Sequence, residues 1–439
     1  MTLRAALDRT LLLSRDSSII GGNTPTDDQI IEALRTTNVL LVADLANVSS
    51  VAGQVALVTL FNLVMRLGVS VRLVVPDVEV LGCQAPLRGE RLRSGLLDLG
   101  SDLLPGCSVR ESDPLEPADV AFVLGDTPWR GRAHHALRLS GDNWSGRTSP
   151  VSGPAPRWAG AFPIGALAAA GIAAPEAFKY AMRRLGTTMP CPLPGDFLLP
   201  VDSARVCMAP EGTSTGPIDL GRVDCVSGGA IINSALLTLI SVPTLNAAVR
   251  IIEPEHLDVA NLNRYQLARL SDCGLRKIDI LQAWQRPGIS ITGIAAKYEE
   301  STQVGIQPFA PTVLVGADDI PTRWAVQREW PTWLGVGATS HFLAVISSHI
   351  PRDPCVGCLH PHDDLDNSPI PTISFVSYWA GFVLAVRLLR YILDQHQRGK
   401  EQSMDCSPLR LDQERAFWYR PVAARRDCPV GCAISREHL

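Results

Sequence analysis

The chain is poor in aromatic residues, has no surplus of positive charge, and contains no membrane-length apolar run without a charge, proline or polar break. Each shortage excludes something. With aromatics at only 6%, the cores must be packed with Val, Leu, Ala and Ile. A formal net charge of −4 argues against a protein that grips a nucleic-acid backbone, which needs a basic face. The lack of a long uninterrupted apolar run argues against a membrane protein, and Met1 to Asp8 does not read as a signal peptide. The eleven cysteines are an odd number, scattered through the first half and paired only near the end. They read as reduced thiols plus one metal site, not as a secreted disulfide framework, so the cytoplasm is the expected compartment.

Apolar residues are nonetheless plentiful, at 46% of 439 residues, and that length predicts two or three domains. The most informative stretch is Val223 to Arg264. A short apolar run ends in Ser227-Gly228-Gly229, a helix-like stretch follows from Ala230 to Ile240, and a β-rich run from Ala248 to Ile252 ends on Glu253. Strand, glycine turn, helix and an acid-tipped second strand make a mononucleotide-binding βαβ unit. Glycines let the backbone approach phosphates, and a helix N-terminus aims unpaired N–H groups at them. The acid can accept hydrogen bonds from ribose hydroxyls. The usual third glycine is missing, with Ile232 or Asn233 near its place. The glycines alone therefore fit a buried βαβ unit with a tight turn just as well.

Residues further along the chain shift the balance. NLNRYQ at 261–266, then Lys277, then VLVGADDIPTR at 313–323 occur in that order. With Gly228, Gly229, Glu253 and Glu255 they form an ordered set that resembles the ThiF/MoeB/HesA family, the adenylating domain of ubiquitin-activating-type enzymes. The resemblance covers roughly 215–439. It implies that Gly228, Gly229, Glu253, Asn261, Arg264, Lys277 and Asp318 bind ATP. It also implies that Arg264, Lys277 and Asp318 carry the catalysis. Adenylation builds negative charge on the phosphates, which Mg²⁺, Arg and Lys neutralise. Arg264 and Lys277 suit the phosphates, and Asp318, at the end of a β-run, suits Mg²⁺. Asn261 is expected to bond the nucleotide or to order the Arg264 loop.

A divergent internal repeat sets the domain plan. NVLLVADL from Asn38, VALVTLFNLVMRLG and VSVRLVVPDVEV repeat the strand, helix and strand of 223–255, with Gly68 as the helix stop. DVAFVLGDTP at 119–128 parallels TVLVGADDIP at 312–321, and the apolar stretch 162–185 parallels 371–393. The first copy has only Gly53 in its turn and nothing like Asn-Leu-x-Arg; Asp126 echoes Asp318 without companions. Gly21-Gly22-Asn23 is expected to form a turn. The expected fold is α/β: two tandem Rossmann-like, ThiF-type domains with mainly parallel sheets and a C-terminal zinc-tied segment. The expected division is an inactive adenylation domain at 1–200, a linker at 201–221 and an active domain at 222–439. The chain is then a pseudo-dimer in one polypeptide, with further homo-oligomers left open. From the inactive half, Arg9 and Arg15 are candidates to reach the nucleotide.

Cys355 and Cys358 in C-x-x-C spacing, with Cys428 and Cys432 in C-x-x-x-C, suit a tetrahedral structural Zn²⁺. Free buried thiols are the plainer alternative, and Cys406, His360 and His362 are possible substitute ligands. Between Cys358 and Cys406 no cysteine stands where thioester-forming relatives carry one; Cys273 is a fallback. The expected function is ATP-dependent adenylation of the C-terminal carboxylate of a small ubiquitin-like protein or peptide, with the final acceptor supplied elsewhere. The expected cofactors are ATP, Mg²⁺ and Zn²⁺, with neither nucleic acid nor membrane as partner. One rival is a noncatalytic scaffold that recruits such a partner. A nicotinamide oxidoreductase is disfavoured, because NLNR, Lys277 and Asp318 have no role there.

Overall fold

The computed structural model describes residues 1–15, 25–188, 196–299, 303–351, 353–363, 370–394, 402–413 and 416–432. The turn expected at Gly21-Gly22-Asn23 lies outside them. The first sheet contains β1 (Asn38–Val42), β2 (Ser70–Val74), β3 (Val109–Glu111), β4 (Ala118–Leu124), β5 (Ala133–Gly141), β6 (Ser145–Pro150) and β7 (Ala204–Cys207). Their order is β3-β2-β1-β4-β5-β6-β7. The second contains β8 (Ile218–Val226), β9 (Leu245–Ile252), β10 (Ile289–Ile294), β11 (Thr312–Val315), β12 (Trp333–Ser340), β13 (Leu343–His349), β14 (Ser403–Cys406) and β15 (Phe417–Arg420). Their order is β10-β9-β8-β11-β12-β13-β14-β15.

β3 through β5 are parallel in the first sheet, as are β10 through β12 in the second. The remaining strands are antiparallel. Strand order and direction in the first sheet thus recur in the second, which adds β15 at its edge. The chain has two tandem Rossmann-like α/β units with largely parallel sheets, as expected. Within 201–221, expected to be a linker, 204–207 belongs to the first sheet and 218–221 opens β8.

Local chemistry explains the elements. Central β1 (NVLLV) and β11 (TVLV) are apolar on both faces because helices cover both sides of a parallel sheet. The Val51–Met65 helix starts where Ser50 Oγ accepts the Gly53 N–H at 3.1 Å and ends before Gly68, whose φ of 83° suits glycine. It and the Ala230–Ser241 helix are buried on all sides. Two longer helices, Ile164–Thr188 and Ser374–Ile392, cover them. The second of these is long and apolar enough to cross a membrane, but it is a core helix, with 83% of its apolar window buried.

One hydrophobic cluster runs from Ala6 to Ala416 through both units. At their junction Tyr378 Oη donates to Leu167 O (2.9 Å), Trp379 Nε1 to Gly171 O (3.0 Å) and Ser374 Oγ to Leu63 O (3.0 Å). A buried hydroxyl or indole N–H needs a partner, and the opposite unit supplies it. Gly381 lets the Ser374–Ile392 helix sit against the Ala230–Ser241 helix, since a Cβ there would lie 2.1 Å from Ile231 O. Gly381→Ala should therefore destabilise the protein by about 1–3 kcal/mol, the usual cost of overpacking a filled core. Urea unfolding should show a lower midpoint at unchanged slope; an unshifted midpoint would mean the two helices part easily.

Candidate nucleotide site and cysteine centre

The second sheet reverses strand order between β8 and β11, and a cavity of about 280 Å³ opens at the carboxyl ends of these strands. This is where open α/β sheets hold ligands. Ser227, Gly229, Glu253, Glu255, Arg264, Tyr265, Lys277, Asp318 and Arg323 line it, with Gly337 to Thr339 on β12. Arg9, from the Asp8–Ser14 helix of the first unit, lines it too.

The turn after β8 is held from three sides. Ser227 lies at φ 88°, a costly conformation for a residue with a Cβ. Its N–H donates to Ile252 O (3.0 Å) and its Oγ accepts the Gly229 N–H (3.0 Å). The Glu253 carboxylate accepts N–H groups from Gly228 (2.6 Å) and Glu255 (2.9 Å). A Cβ on Gly228 would sit 2.9 Å from Glu253 Cγ, so glycine is what admits this carboxylate. Gly228 thus shapes the turn from outside the cavity lining. Among the described residues no side chain caps the Ala230–Ser241 helix, leaving its first N–H groups turned to the cavity end.

Tyr265 organises two of the cations. The Lys277 ammonium lies 5.3 Å and the Arg264 guanidinium 5.6 Å from its ring centre, within cation–π range. Arg264 Nη1 also donates to Ala260 O and to Asn263 Oδ1 (2.7 Å). Burial, and more weakly Arg9, lower the Arg264 pKa, against the pull of Tyr265, Asp8 and Asp318. Lys277 pairs with Glu255. Its burial acts to lower its pKa, but Tyr265, Glu253 and Glu255 outweigh burial and the net shift is upward. Arg9 Nη1 is buried with no hydrogen-bond partner among the described residues.

Asp318 is exposed at the cavity mouth, three residues beyond β11. Asp319 lines the cavity as well, and its carboxylate caps the Ile320–Gln327 helix by accepting the Thr322 N–H at 2.9 Å. Buried Arg323 holds the intervening turn, donating to Ala317 O through Nε (3.1 Å) and Nη2 (2.9 Å). Asn261 lies outside the lining. Its Oδ1 accepts the Asp258 N–H (2.9 Å) and closes a capping box at the start of the Arg264 loop. Arg15 also stays away, paired with Asp27 at 3.3 Å. Lys297 and Tyr298 line the cavity although no motif marks them in the sequence, and so does Thr322, which stands within VLVGADDIPTR but was not singled out.

The corresponding place in the first unit is filled. The short Leu45–Val48 helix follows β1 and buries Asn47. Asn47 Nδ2 donates to Asp44 (2.9 Å), Asp126 (2.9 Å) and Thr127 (3.1 Å), while its Oδ1 accepts the Trp158 N–H (3.0 Å). Asp126 is also paired with Arg157 at 3.0 Å, and this bond, followed by the one from Asn47, holds its pKa below the usual carboxylate range.

Cys355, Cys358, Cys428 and Cys432 come together, their sulfurs all within 4.8 Å of one another. Cys355 Sγ lies 3.4 Å from Cys428 Sγ, and Cys358 Sγ 3.1 Å from Cys432 Sγ. Both distances are far beyond a disulfide bond of ~2.05 Å. A tetrahedral zinc with ~2.3 Å bonds sets its thiolates ~3.8 Å apart, and the separations here run from 3.1 Å to no more than 4.8 Å, on either side of that spacing. Val422, Val430 and Leu359 pack around them. Cys406 is buried in β14 and, like His360 and His362, is not among the four. Cys273 lines no part of the cavity, and burial pushes its thiol pKa up. The centre is tied to the cavity wall: Gln327 Oε1 accepts the Val356 N–H (3.1 Å), and Trp324 Nε1 donates to His360 O (2.8 Å).

Among known proteins, the family model of the BilD N-terminal domain matches residues 38–189, within the first unit. A protein of Sinorhizobium fredii (strain NBRC 101917 / NGR234), the uncharacterized protein y4jF, is 25% identical over 268 residues. The match covers 60% of this chain and 50% of that protein, so the chain spans about half the length of this curated relative. Escherichia coli MccB solved with ATP shares 16% identity over 48% of this chain and 66% of its own, at a TM-score of 0.39. The Microcin C7 biosynthetic enzyme MccB in complex with N-formylated MccA shares 16% identity over 48% and 67%, at 0.40. PaaA shares 11% over 46% and 64%, at 0.36.

The cysteine geometry makes a direct prediction. Purified protein should hold one Zn²⁺ per chain by elemental analysis, and Cys358→Ser should release it and loosen the 420–432 segment to proteolysis. Metal-free protein with four freely titratable native thiols would show the cluster to be a packed thiol core.

Proposed function

We propose that the chain is an ATP-dependent adenylyltransferase of the ThiF type, activating the C-terminal carboxylate of a small ubiquitin-like protein or peptide. One observation carries the reading: Arg264, Lys277, Arg9 and Asp318 converge on a single cavity at the uncapped start of the Ala230–Ser241 helix. Four separate elements deliver them, and a polyphosphate is the ligand whose charge such a set matches. In the reaction a carboxylate oxygen bonds to the α-phosphorus while the bond from that phosphorus to the bridging oxygen breaks. Pyrophosphate leaves with the electron pair.

The residues divide the work. Uncapped helix N–H groups and the cations stabilise charge that grows on the phosphates. Glu253 suits the ribose hydroxyls, and Asp318 is the carboxylate that would hold Mg²⁺, an ion that neutralises phosphate charge when bound. The small residues Gly337, Ala338 and Thr339 leave room for a slender substrate tail. No cysteine lines the cavity among the described residues, which supports transfer of the acyl group to a nucleophile brought by another molecule. We assign adenylation to 222–439 and a supporting role to 1–200, whose own crevice is occupied by Asn47, with 201–221 between them.

Calorimetry should find one Mg·ATP site per chain, together with a partner-dependent exchange of pyrophosphate into ATP. Asp318→Ala should weaken Mg·ATP at least tenfold, or about 1.4 kcal/mol, and Arg9→Ala should slow exchange more than it weakens binding. Unchanged affinity in Asp318→Ala would remove that residue from its role. Tight ATP binding with no exchange for any carboxylate partner would favour the noncatalytic scaffold.

A further inference from the structure

The stretch 262–268 brings Arg264 and Tyr265 into the cavity, yet it lies between two short 3₁₀ turns, Val259–Asn261 and Leu270–Asp272. Its carbonyls need partners from elsewhere. They come from the end of the Val51–Met65 helix in the first unit. Arg66, with no exposed surface, donates through Nη1 to Leu262 O and through Nη2 to Ala268 O (2.7 Å) and Gln266 O (3.4 Å). Asn62, equally buried, donates from Nδ2 to Gln266 O (2.9 Å) and Gln266 Oε1 (3.0 Å). Its Oδ1 accepts Arg66 Nε at 2.9 Å, fixing the plane of the guanidinium.

This arrangement is costly to build. A buried guanidinium bonded to carbonyls in place of a carboxylate forgoes a full counter-charge. Burial, followed by the repulsion of Arg269, lowers its pKa to about 9, so it remains a cation at neutral pH. What the fork offers in return is geometry: a rigid set of donors meeting three carbonyls on both sides of Arg264 and Tyr265. Asn263, within the same stretch, adds a second tie to the first unit by donating to Thr10 Oγ1 at 2.8 Å, while its Oδ1 accepts Arg264 Nη1.

We infer that Arg66, seconded by Asn62, is a positioning residue of the nucleotide cavity, supplied by the first unit to hold Arg264 and Tyr265 in place. Its consequence for catalysis rests on the proposed adenylation; its effect on the loop does not. The first unit then contributes more than a covering face: it sets the shape of the phosphate-binding loop.

The test uses the full chain with Arg66→Met, Arg66→Lys and Asn62→Ala. Hydrogen exchange should be monitored across 261–269, with β8 and β9 as internal reference, alongside Mg·ATP affinity and the kcat and KM of pyrophosphate exchange. In Arg66→Met, exchange across 261–269 should rise at least tenfold while β8 and β9 stay protected, and the Mg·ATP Kd should rise at least tenfold. Arg66→Lys, which keeps the charge but not the fork, should fall between Met and wild type. Asn62→Ala should show the same local effect, smaller, and it keeps the test intact if Arg66→Met fails to fold. Unchanged loop exchange in all three variants would overturn the inference, as would a rise shared equally by β8 and β9. If wild-type protein bound no Mg·ATP, the adenylation reading would fall, and loop exchange would still decide the role of Arg66.

Discussion

Two helices that are buried on every side, Val51–Met65 and Ala230–Ser241, impose the architecture. A helix with no exposed face has to be covered all round, and one sheet covers only one side. In each unit a second, longer helix does the rest, and those two longer helices then meet at Tyr378, Trp379, Leu167 and Gly171. Separating the two units would expose this junction and leave the Arg66 guanidinium without the carbonyls that now surround it. Every large apolar side chain uncovered would cost roughly 1.5–3 kcal/mol.

Much of the fold was legible in the sequence because parallel strands and their covering helices carry local signals. NVLLV became β1, and the paired stretches DVAFVLG and TVLVGAD became β4 and β11, which hold the same place in their sheets. The antiparallel additions were not foreseen. Strand direction is settled by a partner far away in the chain, and short polar strands such as SMDC (β14) and ARVC (β7) look like connections until that partner is known. Arg66 was illegible for a similar reason. An arginine closing an apolar helix reads as a solvated end charge, and only the loop some 200 residues later makes it a buried anchor.

In the site, the ordered set Gly229, Glu253, Arg264, Lys277 and Asp318 was legible as types and order, and the fold gathers it in one cavity. The partners these groups hold within the protein were not. Glu253 is buried and closes the glycine turn, so it cannot leave without unmaking that turn. Glu255 is largely exposed, so its pairing with Lys277 is screened by water and costs little to break. The two acids after β9 therefore differ in kind, one part of the frame and the other a replaceable counter-ion. Spacing alone could not distinguish them.

The contrast between the two crevices turns on a few residues after the first strand of each sheet. After β8 the chain makes a bare Ser-Gly-Gly turn, and the adjoining helix keeps its first N–H groups free of any side-chain cap. After β1 it makes an extra helical turn that swings Asn47 inward, and Ser50 caps the next helix. A ligand entering there would have to break the bonds of Asn47 to Asp44, Asp126, Thr127 and Trp158. Each is worth about 1 kcal/mol net while made, and more when a buried partner is left unsatisfied. The fold is the same on both sides; what differs is how fully the protein's own side chains satisfy the polar groups at the point where the strand order reverses.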